Sequence, residues 1–315
     1  MSSLSIAFIT YNELTAKYLP FFLSSLKEQS FQDFNLIVFD NSEKENKNKK
    51  YIREYFKDAI ILGEGENIGF SRAYNIMIKK ALELRSKYFL ALNPDMILEN
   101  NAIKELMKVM EADSSLASLS PKILTWDFEN KRKTNYLDSC GIVKNGVLRF
   151  KDLGQGEKDN NQYFHHSILG PSGAAAFYRL SVLEKIKEGN NYFDELMFMY
   201  EEDCDLAFRL ELAGFRSALV NESVIYHDRS ARTQGDGIIN IIKNRKNKTK
   251  NIRKWAFLNK HIIFIKYFHI LKIKDKINLF YFIFKLFIFS LIFEPFLLKE
   301  YWHLFKIRKK IKRYI

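Results

Sequence analysis

Residues 88–95 read Tyr-Phe-Leu-Ala-Leu-Asn-Pro-Asp. Five apolar residues without polar alternation indicate a strand buried on both faces. The strand stops at Asn93-Pro94 and leaves Asp95 at its carboxyl end. Three earlier segments share this form: Leu4–Thr10 (LSIAFIT) ends at Tyr11-Asn12, Phe34–Phe39 (FNLIVF) at Asp40-Asn41-Ser42, and Ala59–Leu62 at the loop Gly63–Gly69. Helical patterns alternate with them over Thr15–Gln29, around Tyr51–Phe56, over Phe70–Arg85 and over about Asn100–Ala112. In the first of these, Leu19, Phe22, Leu23 and Leu26 share one face. The alternation predicts an α/β domain with a mostly parallel sheet flanked by helices. Ligands of such sheets bind outside the carboxyl ends of the strands, so the four polar clusters should line one rim.

Beyond Ile123 the pattern is less regular as far as Leu169, with Gly/Asn turns at 144–146 and 154–156. Next come Gly170-Pro171-Ser172-Gly173, small residues Ala174–Ala176, and a helix near Leu180–Lys187. An acidic cluster at Glu201–Asp205 opens an amphipathic helix that ends at Gly214, a suitable C′ residue. Ser217–Val220 and Val224–His227 read as two short strands. No internal repeat is visible.

The charge is unevenly placed. Residues 238–315 hold 20 Lys/Arg against 3 Asp/Glu, whereas residues 1–237 hold 30 against 34. The chain therefore divides into a mildly acidic globular part, 1–235, and a basic, aromatic-rich helical extension, 236–315. Cys140 and Cys204 show no metal or disulfide spacing, which suits a reducing compartment. The N-terminus reads directly into a strand-like segment and shows no secretory signal.

Several residues suit nucleotide chemistry. The loop Gly63–Gly69 looks at first like a dinucleotide fingerprint, but position 68 is Ile and the loop follows the third strand. Taken alone, it is a turn before a helix. Asp95 is placed to hold a divalent cation on a diphosphate, since Mg²⁺ takes few protein carboxylates and several phosphate oxygens. The plain alternative is an Asx-Pro turn. Glu202, Asp203 and Asp205 suit a helix N-terminus through the dipole alone, and Asp205 is spaced to pair with Arg209. The aromatic residues before them point instead to a partly buried carboxylate acting as general base. His227 ends a strand ahead of Arg229 and Arg232. Imidazole can ligate a metal and arginine can bind phosphate.

The ordered set LSIAFITYN, LIVFDNS, ENIGFSRAYN, ALNPD, GPSGAAAFYR, YFDELMFMYEEDCDLAFR and VIYHDRS resembles the family 2 inverting glycosyltransferases. It is most similar to the bacterial rhamnosyltransferase-like branch that builds surface polysaccharides. The likeness covers about residues 4–232 and includes Leu137–Gly141 and Gly154–Glu157. It implies a GT-A fold. It implies a nucleotide-sugar site of Thr10, Asn12, Asp40, Asn67, Gly69, Arg72, Asn75, Asn93 and Asp95, with Arg229 and Arg232 near the leaving phosphates. Asn93-Pro94-Asp95 matches the D-x-D motif with Asn as its first member, so Asp95 should carry most of the metal binding, with His227 as co-ligand. Asp203 matches the expected base, and Glu202 is a second candidate.

The implied cofactor is Mg²⁺ or Mn²⁺. The implied partners are a dTDP- or UDP-linked sugar, rhamnose among the candidates, and a glycan or lipid-linked acceptor. The apolar segment Ile277–Leu298 is long enough to span a bilayer, but Lys285 and Glu294 interrupt it. Amphipathic helices lying on an anionic membrane are expected instead, which places the protein in the cytoplasm, peripheral to the inner face of the cell membrane. A helical cap on the catalytic part is the alternative. No nucleic-acid-reading motif is present. Two other functions stay open from sequence: a nucleotidyltransferase of related fold, and a non-catalytic nucleotide-sugar-binding protein.

Overall fold

The computed structural model describes residues 2–228, 245–246 and 248–314. Its first part is built from β1 (Leu4–Thr10), α1 (Asn12–Ala16), α2 (Leu19–Lys27), β2 (Phe34–Asp40), α3 (Asn48–Tyr55), β3 (Ile60–Leu62), α4 (Gly69–Glu83) and β4 (Tyr88–Leu92). The strands lie in the order β3-β2-β1-β4, all parallel. The helix expected over 15–29 is two helices. Pro20 sits in the first turn of α2, where its missing N–H has no intrahelical partner to lose.

The second part contains β5 (Met96–Leu98), α5 (Ala102–Ala112), β6 (Leu116–Asp127), β7 (Arg132–Ser139), β8 (Ile142–Lys144), β9 (Phe150–Asp152), β10 (Ala175–Arg179), α6 (Leu180–Ile186), α7 (Glu202–Leu212) and β11 (Arg216–His227). The sheet continues β4-β10-β6-β11-β5, with β7 alongside β6. Here the parallel pattern breaks. β10 runs antiparallel to β4 and β6, and β5 runs antiparallel to β11, while β11 is parallel to β6. The two short strands expected before His227 are one strand with a register shift between Val220 and Val224.

The core follows the period of the strands. On β1, Leu4, Ile6 and Phe8 face Leu19, Phe22, Leu106 and Met110 of α2 and α5. Ala7 faces the other side, toward Tyr74 and Met77 of α4. Both faces are covered, so the carboxyl rim is left as the open side of the parallel half.

Three helices follow the part of the chain outside the described residues: α8 (Lys250–Tyr267), α9 (Ile273–Phe293) and α10 (Leu298–Ile307). Although α8 lies beyond the charge boundary near residue 235, it packs into the front of the molecule. Ile262, Ile263, Phe264 and Tyr267 share an apolar cluster with Met197, Ala207, Phe208 and Ile142. Beneath it the wholly buried Asp205 accepts hydrogen bonds from Arg209 Nε at 2.9 Å, Lys266 Nζ at 3.1 Å and the Tyr267 hydroxyl at 2.7 Å. Lys266 also bonds Glu188 at 2.6 Å, and Arg209 bonds the carbonyls of Ile186 and Tyr192. Burial alone would raise the pKa of Asp205, but Lys266 and Arg209 outweigh it and hold the carboxyl below its ordinary value.

In α9, by contrast, Leu279 and Ser290 are the buried residues. Phe282, Ile283 and Leu286 lean on the core. The opposite stripe, Ile273, Ile277, Phe280, Phe284, Ile288 and Leu291, is exposed. Removing one partner of a buried charge network strands the others without water, at a cost of about 3–5 kcal/mol. Lys266→Met is expected to lose stability of that order, read as a lowered urea midpoint with an unchanged slope.

Candidate active site

The rim begins where β1 and β2 end together. Thr10 and Asp40 are register partners, and Asp40 Oδ1 accepts the Thr10 hydroxyl at 3.0 Å and the Ser42 N–H at 3.2 Å. Asn12, with φ of 44°, donates its N–H to Ser42 Oγ at 2.7 Å. Gly63 closes against this corner. Its φ is +114°, and a Cβ there would lie 2.3 Å from the Asp40 carbonyl oxygen, so only glycine fits. Asp40, Ser42, Lys44, Lys49 and Gly65 line an open recess of about 270 Å³.

A second recess, about 260 Å³, is lined by Asn67, Ile68, Arg72, Glu195, Met197 and Phe198. Asn41, which the motifs did not single out, joins the two. Its Nδ2 donates to the Gly69 carbonyl at 3.2 Å, and its Oδ1 accepts the Ile68 N–H at 3.2 Å. Asn67 Oδ1 accepts the Gly69 N–H at 3.0 Å, and Arg72 lies at the surface 3.6 Å from Glu195. Asn75 is placed differently from a ligand contact. Its Oδ1 takes the N–H groups of Tyr192 and Phe193, and its Nδ2 serves the Phe193 carbonyl and Glu195. With both ends of the amide committed and 1% exposure, it shapes the 192–195 turn.

At the end of β4, Asp95 meets His227. The two come together because β5 and β11 pair Met96 with His227. Asp95 Oδ1 and His227 Nε2 are 3.3 Å apart, buried, and without hydrogen-bond geometry to any partner. The other ring nitrogen, Nδ1, is 2.7 Å from Asp138 Oδ2. Burial alone would lower the pKa of this imidazole, but Asp95 and Asp138 outweigh it and raise it to about 10.

A carboxylate behind a histidine whose far nitrogen faces a second carboxylate is a common second-sphere arrangement for a metal-ligating imidazole. At this spacing Asp95 Oδ1 and His227 Nε2 can both ligate one small cation, which would displace the proton from the ring nitrogen. No cluster of three or more His, Cys, Asp or Glu capable of holding a metal occurs among the described residues, so further ligands would come from phosphate oxygens and water. No motif assigns a role to Asp138: nothing in sequence links the segment Leu137–Gly141 to a histidine 89 positions away.

Asp203 lies partly buried in the first turn of α7. Its Oδ2 accepts the Gly173 N–H at 2.7 Å, and its Oδ1 accepts the Cys204 N–H at 2.8 Å. Burial raises its pKa to about 6, with Asp152 and Glu201 adding to the rise, against the lowering effect of the two backbone donors. Glu202 beside it is buried, with Oε2 unpartnered. Burial and the neighbouring Asp203 push its pKa well above the ordinary range. The adjoining residue, Ala174, accepts the Asn93 N–H through its carbonyl at 2.8 Å. Asp203 and the Asn93-Pro94-Asp95 loop are thus tied to consecutive residues of one segment. Arg229 and Arg232 lie outside the described residues.

The family profile described as "Glycosyl transferase family 2" matches residues 5–187. Among curated proteins, the chain is similar to the dTDP-rhamnosyl transferase RfbF of Shigella flexneri, 25% identical over 75% of this chain and 74% of that one. It is also similar to the N-acetylglucosaminyl-diphospho-decaprenol L-rhamnosyltransferase of Mycobacterium tuberculosis, 22% identical over 77% and 81%. A match to the teichoic acid poly(glycerol phosphate) polymerase of Staphylococcus epidermidis is 32% identical over 33% of this chain and spans only 14% of that protein. Among solved structures, the mannosyltransferase PcManGT of Pyrobaculum calidifontis, in complex with GDP-Man and Mn²⁺, shares the fold. Its TM-score is 0.52 at 16% identity, over 81% of this chain and 63% of that one. The fold is GT-A, and the chain belongs to glycosyl transferase family 2 and is a glycosyltransferase.

Proposed function

We propose that the chain transfers a sugar, with rhamnose the first to test, from a dTDP- or UDP-linked donor to a hydroxyl of a lipid-linked glycan, with inversion at the anomeric carbon. The observation that carries this is the Gly173-Ala174 segment, bonded to Asp203 on one side and to Asn93 on the other. It ties a carboxylate of raised pKa to the loop that carries Asp95. The acceptor oxygen forms its bond to the anomeric carbon, the acceptor proton passes to Asp203, and the bond to the diphosphate breaks with its electron pair on the leaving oxygen. A divalent cation, held by Asp95 and His227, would supply positive charge to that leaving group. The recess beside Asp40 suits the nucleoside. The relatives named above, two of them rhamnosyltransferases, support the choice of donor and of a lipid-linked acceptor.

Membrane association belongs to the same proposal. α9 is long and apolar enough to cross a bilayer, with a mean hydropathy of 1.8 over its most apolar window. Its inner stripe is spent on the core, and its outer stripe is flanked by Lys272, Lys274, Lys276 and Lys285. Together with the exposed Trp302 and Phe305 of α10, this is the composition of a helix lying in an anionic interface. The protein would then act at the cytoplasmic leaflet, where a lipid-linked acceptor presents its sugar.

A donor screen by release of nucleoside diphosphate tests the reaction, and absence of release from every dTDP- and UDP-sugar would sink it. Because Asp203 must be unprotonated to accept a proton, kcat should rise with pH through about 6 and level off above it. Asp203→Asn should cut turnover by roughly 10²–10⁴ with folding intact. Asp138→Asn should weaken Mn²⁺ binding about 10- to 100-fold, measured by titration in the presence of nucleoside diphosphate. In flotation assays the protein should rise with anionic vesicles and less with neutral ones, and Phe280→Asp/Phe284→Asp should reduce recovery without changing turnover on a soluble acceptor.

A further inference from the structure

The turn before α7 holds two consecutive non-glycine residues in the left-handed region, Tyr200 with φ of 72° and Glu201 with φ of 69°. Residues with a Cβ populate that region sparsely, and such a conformation persists where the surroundings over-determine it. The four carbonyls leading into it are all bonded. Met197 O accepts the Ser71 hydroxyl at 2.5 Å and Phe198 O accepts the Phe70 N–H at 2.7 Å. Both donors lie in the first turn of α4, beside the recess that Asn67 and Arg72 line. Gly69 allows this approach, since a Cβ there would lie 2.6 Å from Phe198 O. The next two carbonyls, of Met199 and Tyr200, both accept from Asn259 Nδ2, at 2.9 and 2.8 Å.

Asn259 stands on α8, within the basic extension. It is 1% exposed, and its Oδ1 has no hydrogen-bond partner. Two carbonyl acceptors fix which way the amide points, because only its NH₂ end can serve them. Leaving the oxygen unpaired in the interior is unfavourable, so the double donation is the polar contribution this residue makes. The same helix supports the turn twice more: Trp255 stacks on Phe198 with ring centroids 4.8 Å apart, and Lys260 lies 3.2 Å from Glu201. The turn is therefore suspended between the nucleotide side of the cleft and the C-terminal extension, and it delivers Glu202-Asp203 directly.

We propose that Asn259 is a positioning residue for the transfer: by holding the 199–201 turn it sets the angle at which Asp203 meets the acceptor hydroxyl, which makes α8 part of the catalytic apparatus. This rests on Asp203 as the base. Asn259→Leu removes both donors at similar volume, and Asn259→Gln keeps them one methylene farther out. Misplacing a reacting group by a fraction of an ångström to an ångström costs about 10- to 100-fold in rate.

The full-length Asn259→Leu protein should lose kcat by that factor while donor KM and the thermal shift given by UDP or dTDP with Mn²⁺ stay unchanged. The acid limb of its kcat profile should move below about 6, because water reaching Asp203 relieves the burial that raises it. Asn259→Gln should recover part of kcat, and if the leucine variant does not fold, the glutamine variant carries the same comparison against wild type. Wild-type kcat and acid limb in Asn259→Leu, or a fall of kcat and nucleotide binding in step with thermal stability, would overturn the proposal. Asp203→Asn is measured in parallel: if it is inactive while Asn259→Leu is normal, the role given to Asn259 alone is wrong. If Asp203→Asn also turns over normally, the base assignment falls and this proposal with it.

Discussion

Asp205 holds the lower half of the molecule together. One buried carboxylate receives Arg209 from its own helix and Lys266 and Tyr267 from α8. Arg209 and Lys266 in turn tie down the ends of α6 and the 188–194 turn. Each ion would be costly to bury alone. Together they saturate one another, so the first turn of α7, which carries Asp203 two residues before Asp205, is held by charges buried from solvent.

The upper half depends on a topological step. β10 enters the sheet antiparallel between β4 and β6, and the Gly173-Ala174 approach to it passes between the Asn93-Pro94-Asp95 loop and the start of α7. A Cβ on Gly173 would come within 3.1 Å of Asp203 Oδ2. The small residues of the 172–176 run let Asp203 and the Asn93-Pro94-Asp95 loop be tied to one strand entry. Family membership sets the nucleotidyltransferase alternative aside. The arrangement also separates two adjacent acids by environment: Glu202 is buried with Oε2 unpartnered and its pKa is pushed well up, while Asp203, served by two backbone donors, is raised to about 6.

The apolar runs of β1, β2 and β4 were legible because a strand covered on both faces must be apolar throughout, and the rim clusters followed from strand direction alone. The mixed half was not. Antiparallel β10 and β5 are largely buried like the parallel strands, and pairing direction leaves no mark on runs of five and three residues. Thr10, Asp40 and Asn67 emerged at the rim because each follows or ends a strand or loop that sequence could delimit. Asn75, of the same residue type and close in sequence, proved committed to a turn more than a hundred residues away, which no local pattern encodes.

The sequence by itself determined the α/β class, the rim on which the polar clusters fall, and the family to which the ordered motifs belong, because these depend on local periodicity and short-range order. Tertiary structure alone decided that Asp138 stands behind His227, that Glu202 and Asp203 sit in different surroundings, and that a helix from the basic extension holds the turn ahead of Asp203. Those outcomes depend on burial and on contacts between residues 59 to 89 positions apart, where hydrogen bonding and desolvation are set by the folded surroundings.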